Sequence, residues 1–532
     1  MFQKQTLPLE DTRLFNALVQ DYLLKKKDTE RLYSSFADLD GYKKILVDQK
    51  LYPNLNRNIL VQSLTQQAQT VANTSKESVA NIAQLENSNC FTVTTGHQLC
   101  LFTGPLYFIY KIISTINLSE WLSHNFPDKK FVPVYWMASE DHDFEEVNHA
   151  FVYGKKIEWK IDEKGAVGNF KTKNIQSAIL ELETVLGTGE HAQELISVFK
   201  NAYLNHDSLD KATRFLVNEL FGTYGLVIAD GNDKILKLEL RDLIKKDIFE
   251  NIPAKKINET ISYLQSKKYT VQVNPRDINC FYLYENGRNR IEKIGDSYAL
   301  TGTDKTFSKA ELENIIDLSP EKISPNVVLR PMYQQHILPN IAYVGGPGEL
   351  NYWLEYKTMF EALNVFFPIL QPRASIMIID KNQGQKLNKL GIDPLSVFKS
   401  EQDLINFIVE SKGESIELTE EKKKAETIFN DLQKKTNEID KTLENLVKAE
   451  LQKTLNSLSA IEAKLNKSLK QHSETEINQI KTIRSKLFPE NMPQERYDNF
   501  SMYYAKYGKG FIAQIKKQTE GNELKYFILK EV

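Results

Sequence analysis

The sequence predicts an α/β protein with a mainly parallel sheet, small β-containing insertions and an α-helical coiled coil. From Phe91 onward the short apolar or β-branched runs FTVTT, FVPVYWMA, GLVIAD, NIAYVGG and FFPIL are each followed by a polar or glycine loop, and usually by a helical pattern. Such alternation marks crossover units on a parallel sheet. Two stretches interrupt it, AFVYGKKIEWKID and CFYLYENGRNRIEKIG, and both read as hairpins, the second with Asn286-Gly287 between its arms. Between Gly413 and Pro489 there is neither glycine nor proline, while lysine and glutamate abound.

In chain order, residues 1–85 read as an N-terminal helical segment packing on the core. LYSSFADLDGYKKILVDQK and NRNILVQSLTQQAQTVANT repeat apolar residues at three and four spacing. Residues 86–412 form the α/β core, with insertions near 151–215 and 250–325. Residues 413–488 form the coiled coil, with apolar residues at Ala425, Ile428, Leu432, Ile439 and Leu446, then at Leu451, Leu455, Leu458, Leu465 and Leu469. One continuous helix would extend about 110 Å at 1.5 Å per residue, so a folded-back hairpin or a break is expected. Asp440-Lys441-Thr442 offers one turn; Ser473 followed by Glu476 spells a capping box and a second break. The segment 489–532, aromatic and mixed, is expected to return to the core.

A chain of 532 residues allows roughly two to four domains at about 150 residues each. Its 68 basic and 70 acidic residues leave a net charge of -2, so no global field recruits nucleic acid or an anionic membrane. Any anion site must be local. The start MFQKQTLPLEDTRLF has no apolar signal core, and the densest apolar run, Phe131 to Ala138, falls far short of the ~20 residues that span a bilayer. A cytoplasmic location and no membrane partner are expected. Cys90, Cys100 and Cys280 form an odd, sparse set without CxxC spacing, which reads as free thiols rather than a disulfide framework or a structural zinc site.

Three stretches offer chemistry. In TTGHQLCLFTGPLYFIYK a strand, a glycine turn and Pro105 lead into a helix, the arrangement in which amides at a helix N-terminus face an anion. Gly96, His97, Gln98, Thr103, Gly104 and, a turn and a half later, Lys111 are its candidate residues. Neither GxxxxGK[ST] nor GxGxxG is present, so no P-loop or dinucleotide fingerprint is read. In SEDHDFEEVNH, Glu140, Asp141, His142, Asp143 and His149 follow a strand, where open α/β sheets place their ligands. Carboxylates beside an imidazole suit general-base work; consecutive Asp141, His142 and Asp143 cannot all face one ion, so no metal site is assigned. In RPMYQQHILPNIAYVGGPGELNYW, Gly345, Gly346 and Gly348 end a strand and open a helix, Glu349 suits the helix dipole, and Arg330, Gln334 and His336 precede them. GLVIADGND is a similar strand end, offering Asp230 and Asn232. Each glycine cluster would also serve simply as a tight turn, and the acidic cluster as a solvated loop.

TGHQLCLFTGPLYFIYK, VPVYWMASEDHDFEEVNH, AYVGGPGELNYW, QPRAS and FPENMPQERYDNF, in this order and around a coiled coil, resemble the bacillithiol biosynthesis cysteine-adding enzyme family, BshC. The resemblance implies a Rossmann-like core related to class I nucleotidylyl transferases and aminoacyl-tRNA synthetases, with connecting-peptide insertions and a coiled coil pairing subunits into a homodimer. It implies ligase activity in the last step of bacillithiol synthesis, joining the cysteine carboxyl group to the amine of glucosaminyl malate. Cys100 departs from the pattern expected of the opening loop and inherits no role.

Amide formation from a free carboxylate is uphill, so an activated cysteine is expected, with ATP as cosubstrate, with or without Mg, and no tightly bound cofactor. The Gly96–Pro105 and Gly345–Gly348 loops would offer amides to phosphate or carboxylate oxygens, with Lys111 and Arg330 as cationic partners. Asp141 or His142, beside Asp143, would deprotonate or position the sugar amine. Arg330 and Arg373 are expected to clamp the malate carboxylates, and Gln334 and Tyr352 complete the binding set. Neither a HIGH nor a KMSKS signature is present. Two other readings compete: a metal-dependent hydrolase using Asp141, His142 and His149, and a noncatalytic dimeric scaffold.

Overall fold

The computed structural model describes residues 2–47, 52, 55–284, 287–411 and 417–532. The chain forms two compact units: residues 6–377 with 493–527, and residues 1–5 and 378–492 with 528–532.

The larger unit is built on a five-stranded sheet of β2 (Cys90–His97), β3 (Lys130–Met137), β6 (Val227–Asp230), β12 (Asn340–Gly345) and β13 (Ile369–Pro372). Its order is β13-β12-β2-β3-β6 and all neighbours are parallel. Each of the five apolar runs of the sequence thereby contributes to a strand, FFPIL through Ile369 and Leu370 alone. Seven of the eight residues of β2 are buried, as expected of a parallel strand covered on both faces. The helix Tyr107–Asn125 crosses from β2 to β3 and packs on both. The chain builds outward from β2 through β3 to β6, then returns to the other side of β2 with β12 and β13. The order therefore reverses between β2 and β12, and a crevice opens outside their carboxyl ends.

Two insertions carry antiparallel strands. The hairpin β4 (His149–Val152) and β5 (Lys155–Glu158) is followed by helices as far as Phe221. The second insertion is a five-stranded sheet of β7 (Cys280–Tyr284), β8 (Gly287–Ile294), β9 (Ser297–Leu300), β10 (Thr306–Ser308) and β11 (Ile323–Pro325), in the order β10-β9-β8-β7-β11. Gly287 stands opposite Tyr284 as the first residue of β8, so it belongs to the strand and not to the reversal predicted for Asn286-Gly287; Asn286 lies outside the described residues.

The N-terminal residues form helices Leu39–Leu46, Arg57–Ala68 and Lys76–Gln84, capped by the side chains of Asp38, Asn56 and Ser75. Residues 48–50 of the first predicted helix lie outside the described residues. The segment is not wholly helical, because β1 (Phe2–Pro8) is a strand. Its polar QKQT stretch has no apolar alternation to announce it; its partner, β15 (Lys525–Glu531), comes from the other end of the chain. Within the larger unit, Tyr22 Oη donates to Leu370 O at 2.7 Å, and Gln67 Nε2 donates to Asp230 O at 3.0 Å. From the late segment, Asn499 Nδ2 donates to Phe102 O and Gly104 O at 2.9 and 2.6 Å.

The smaller unit is mainly helical, with Lys381–Lys389, Glu401–Ser411, Thr419–Ile439, Glu444–His472 and Glu474–Leu487. Residues 378–411, which the sequence places with the core, pack here, where helix Glu401–Ser411 meets helix Glu474–Leu487. Part of β14 (Ser375–Ile379) also lies here, in a three-stranded sheet ordered β1-β15-β14. The two long helices fold back on each other: Lys422 Nζ meets Glu462 at 2.6 Å, and Gln433 Nε2 donates to Glu444 at 3.1 Å. The turn falls at Asp440, whose carboxylate accepts the Thr442 N–H at 2.8 Å, and a second break falls at Ser473. Ile428, Ile439 and Leu446 remain 60%, 84% and 57% exposed, an apolar row the hairpin does not cover itself. Gly413 and the side chain of Leu469 lie outside the described residues. Among those residues no helix is long and apolar enough to cross a membrane. All three cysteines are free and buried.

Candidate active site

A cavity of about 660 Å³ opens where the strand order reverses. Its wall includes Gly96, His97, Gln98 and Lys111 from the first stretch, Asp141 and His142 from the second, and Arg330, Gly346, Gly348, Glu349, Tyr352 and Arg373 from the third. Pieces of sequence hundreds of residues apart meet there because β2 and β12 are neighbours.

Lys111 and Glu349 hold the centre. Lys111 reaches back along its helix to donate to Gly96 O, and its ammonium pairs with Glu349 at 2.8 Å while only 3% exposed. Glu349 also accepts the Tyr343 hydroxyl at 2.6 Å and the Gly346 N–H at 2.9 Å. Burial would raise Glu349, but Lys111 and these donors outweigh it and hold the carboxyl below its usual range. Its carboxylate thus occupies the first turn of helix Pro347–Leu354, where an external anion was expected to interact.

His97 stacks on Tyr107 and its Nδ1 accepts the Gln98 N–H at 2.9 Å, so the ring carries its proton on Nε2. That Nε2 is buried with no partner among the described residues. Burial, with Lys111 next, pushes the imidazole down to about 3, so His97 is a neutral donor and not a base.

Asp141 accepts the Gln98 amide at 2.7 Å and the His142 N–H at 2.8 Å. Burial raises it, but His142, Gln98 and the Arg288 guanidinium together hold it far below the usual carboxylate range. Arg288 can only donate, so its contact of 3.1 Å makes His142 Nδ1 the acceptor and leaves the ring proton on Nε2. Both base candidates are therefore committed: Asp141 as a fixed negative charge, His142 as a donor.

Five predicted residues do not line the cavity. Asp143 caps the short helix Phe144–Val147 through the Glu146 N–H at 3.3 Å. Thr103 and Gly104 have φ of 73° and 67° and form the turn before Pro105. A side chain on Gly104 would come within 2.6 Å of Cys100 Cβ, so this glycine makes room for Cys100. The amide of Leu106 donates to Asp498 O at 2.7 Å, so the following helix is capped by the chain's own late segment. Gln334 is fully buried and accepts from Arg330 at 3.2 Å; Gly345 packs against Tyr343 and Glu349. Arg373 lines the cavity, yet both terminal nitrogens bind Glu495, at 3.0 and 2.7 Å, so the expected malate clamp is already engaged. His149 lies on β4 with Nδ1 3.0 Å from Asn148 Oδ1, away from the cavity. Among the described residues, no three His, Cys, Asp or Glu side chains form a group able to hold a metal ion.

The structure adds cations the sequence reading missed. Arg276, Arg288 and Arg290 come from the second insertion and Arg496 from the late segment. Arg288 is anchored by Ser324 Oγ and Pro325 O at 3.0 and 2.7 Å and stacks on Phe281 at 4.3 Å. With Arg330, Arg373 and Lys111, seven cations face four carboxylates, Glu140, Asp141, Asp230 and Glu349. The one available signal was the basic pattern RNR in β8, which is also what a solvated edge strand looks like.

A parallel sheet of this order, with a cation-rich cavity at the reversal point, and a helical hairpin elsewhere in the chain define a Rossmann-like protein with a helical C-terminal region. Comparison with known families gives the particular one. Residues 2–374 match the bacillithiol biosynthesis BshC N-terminal Rossmann-like domain, and residues 376–531 match the BshC C-terminal coiled-coil domain. Proteins named "Putative cysteine ligase BshC" from Flavobacterium psychrophilum and Flavobacterium johnsoniae are 41% and 39% identical to it, each over 97% of both chains. A relative of the same name from Christiangramia forsetii is 39% identical over 98% of this chain and 97% of its own. The chain belongs to the BshC family of bacillithiol biosynthesis.

Proposed function

We propose that this chain joins the carboxyl group of cysteine to the amine of glucosaminyl malate, after ATP activates the carboxyl group. The excess of cations over carboxylates in one cavity carries the reading, since a triphosphate and the two malate carboxylates together need several. Arg330 and the Gly346–Gly348 backbone line the space from beside β12, and Arg276, Arg288 and Arg290 line it from the second insertion. Asp141, kept ionised, would hold the sugar ammonium as it enters. Purified protein mixed with cysteine, glucosaminyl malate and ATP is expected to yield the thiol amide together with a cleaved nucleotide, both followed by mass spectrometry. AMP would mark an acyl adenylate and ADP an acyl phosphate. Amide without nucleotide cleavage, or no amide, would sink the reading.

We further propose a homodimer through the helical hairpin, supported by its uncovered apolar row. Replacing Ile428 and Leu446 with lysine is expected to halve the mass seen by light scattering. A dimer surviving the change would move the interface elsewhere.

A further inference from the structure

Amide formation needs an amine that gives up a proton as it attacks, and the inference here rests on the ligase reading above. The cavity wall holds seven groups that could take or hold that proton, namely His97, Lys111, Glu140, Asp141, His142, Asp230 and Glu349. Six are committed. Glu140 pairs with buried Lys237, Glu349 with Lys111, and Asp141 with Gln98 and the His142 N–H. His97 and His142 each use Nδ1 as an acceptor and carry the proton on Nε2.

Asp230 is different. It ends β6, is 8% exposed, and holds one oxygen, Oδ1, on Ser139 Oγ at 2.5 Å and the Asn232 N–H at 2.8 Å. Its Oδ2 receives no hydrogen bond from any described residue. The nearby cation, Arg214, spends its terminal nitrogens on Ile228 O and Gln67 Oε1, at 2.8 and 3.0 Å. The backbone is rigid here, since Gly231 O accepts the Tyr333 hydroxyl at 2.8 Å and a side chain on Gly231 would strike Trp136 at 2.4 Å.

We propose that Asp230 is a catalytic residue whose Oδ2 accepts the proton released when the sugar amine attacks the activated cysteine carboxyl. In that step the carbon–nitrogen bond forms and the bond from the acyl carbon to the phosphate oxygen breaks. The sugar ammonium first loses one proton to water; as the neutral amine then attacks, the phosphate, derived from the nucleoside triphosphate, leaves with the electron pair, and the second N–H proton passes to Asp230. Burial is the main influence on this carboxyl and pushes it up to about 6, against lowering by Ser139, Asn232 and Arg214, with Asp210 adding to the rise. A base ionised just below neutrality is well matched to the task. The other titratable groups around it are Tyr135 of β3, Tyr333 of helix Arg330–Ile337, and Asp233 beyond β6.

Hydroxylamine tests the assignment, because a strong nucleophile can trap activated cysteine as its hydroxamate without help from a base. Asp230→Asn is nearly isosteric and keeps an acceptor for Ser139. It is expected to lower amide formation about 100-fold or more, while cysteine hydroxamate still forms with ATP cleavage at a rate within about threefold of the wild type. Retained amide formation, or parallel loss of hydroxamate, would overturn the role. Wild type that cleaves no nucleotide and makes no hydroxamate would instead overturn the ligase reading. Ser139→Ala decides the matter if the first variant folds poorly. Losing a donor to the ionised form raises the Asp230 carboxyl further, so the acid limb of kcat/KM must move to higher pH. An unmoved limb in a folded Ser139→Ala protein rules Asp230 out as the base.

Discussion

Two Gly-Pro turns of the larger unit look alike in sequence and behave differently in the fold. Gly104-Pro105 and Gly346-Pro347 each follow a central strand and open a helix. The first is sealed: Leu106 donates to Asp498 O, and Asn499 binds the carbonyls of Phe102 and Gly104. The second borders the cavity, with Glu349 satisfying the Gly346 amide from inside the same turn. A helix N-terminus offers the same unpaired amides in both places. What differs is which part of the chain reaches them first, and that makes one turn a joint and the other a wall of the site.

The contrast can be broken at its strongest point. Glu349→Gln leaves the buried Lys111 ammonium without its partner and is expected to cost about 3–5 kcal/mol in denaturant unfolding, with loss of ligation. Adding Lys111→Met should restore most of the stability but not the activity. Failure of the double variant to recover would mean that the pair shapes the turn beyond its charge.

At the sealed turn, Gly104→Val puts a side chain at φ of 67° and against Cys100, for a cost of about 3 kcal/mol. KM for the anionic substrates should stay unchanged below the melting temperature. A raised KM with unchanged stability would return this turn to the ligand. Gly348→Ala is the mirror case and the smallest change. Its new methyl meets only Gln272 Nε2, at 3.6 Å, so stability should hold or rise by about 0.5–1 kcal/mol, as for any glycine replaced in a helix. The methyl projects at the cavity wall, so KM for ATP or the malate conjugate should rise about tenfold. Unchanged kinetics would show that substrates keep clear of this turn.

Sequence by itself determined what depends on near neighbours. The five central strands were legible because both-face burial demands continuous apolar runs, and the helical hairpin because its period and the Asp440 turn are local. The placing of Gly96, Asp141 and Gly346 at the cavity was also legible, since the ends of parallel strands and the loops after them gather at one edge of a sheet, whereas Arg330 reaches it from the helix that precedes β12. Tertiary structure alone decided the rest. Arg276, Arg288, Arg290 and Arg496 join the cavity from an inserted sheet and a late segment, positions that no local pattern distinguishes from solvated surface. Arg373, plausible as a substrate clamp, is engaged by Glu495, a residue 122 positions away. Asp141 and Asp230 are both acids at strand ends, yet the donors converging on Asp141 keep it a weak base, while burial and an unbonded oxygen leave Asp230 able to accept a proton. The periodic pattern of a chain sets which faces are buried, but the charge state of a side chain depends on partners that only the folded arrangement brings within hydrogen-bond distance.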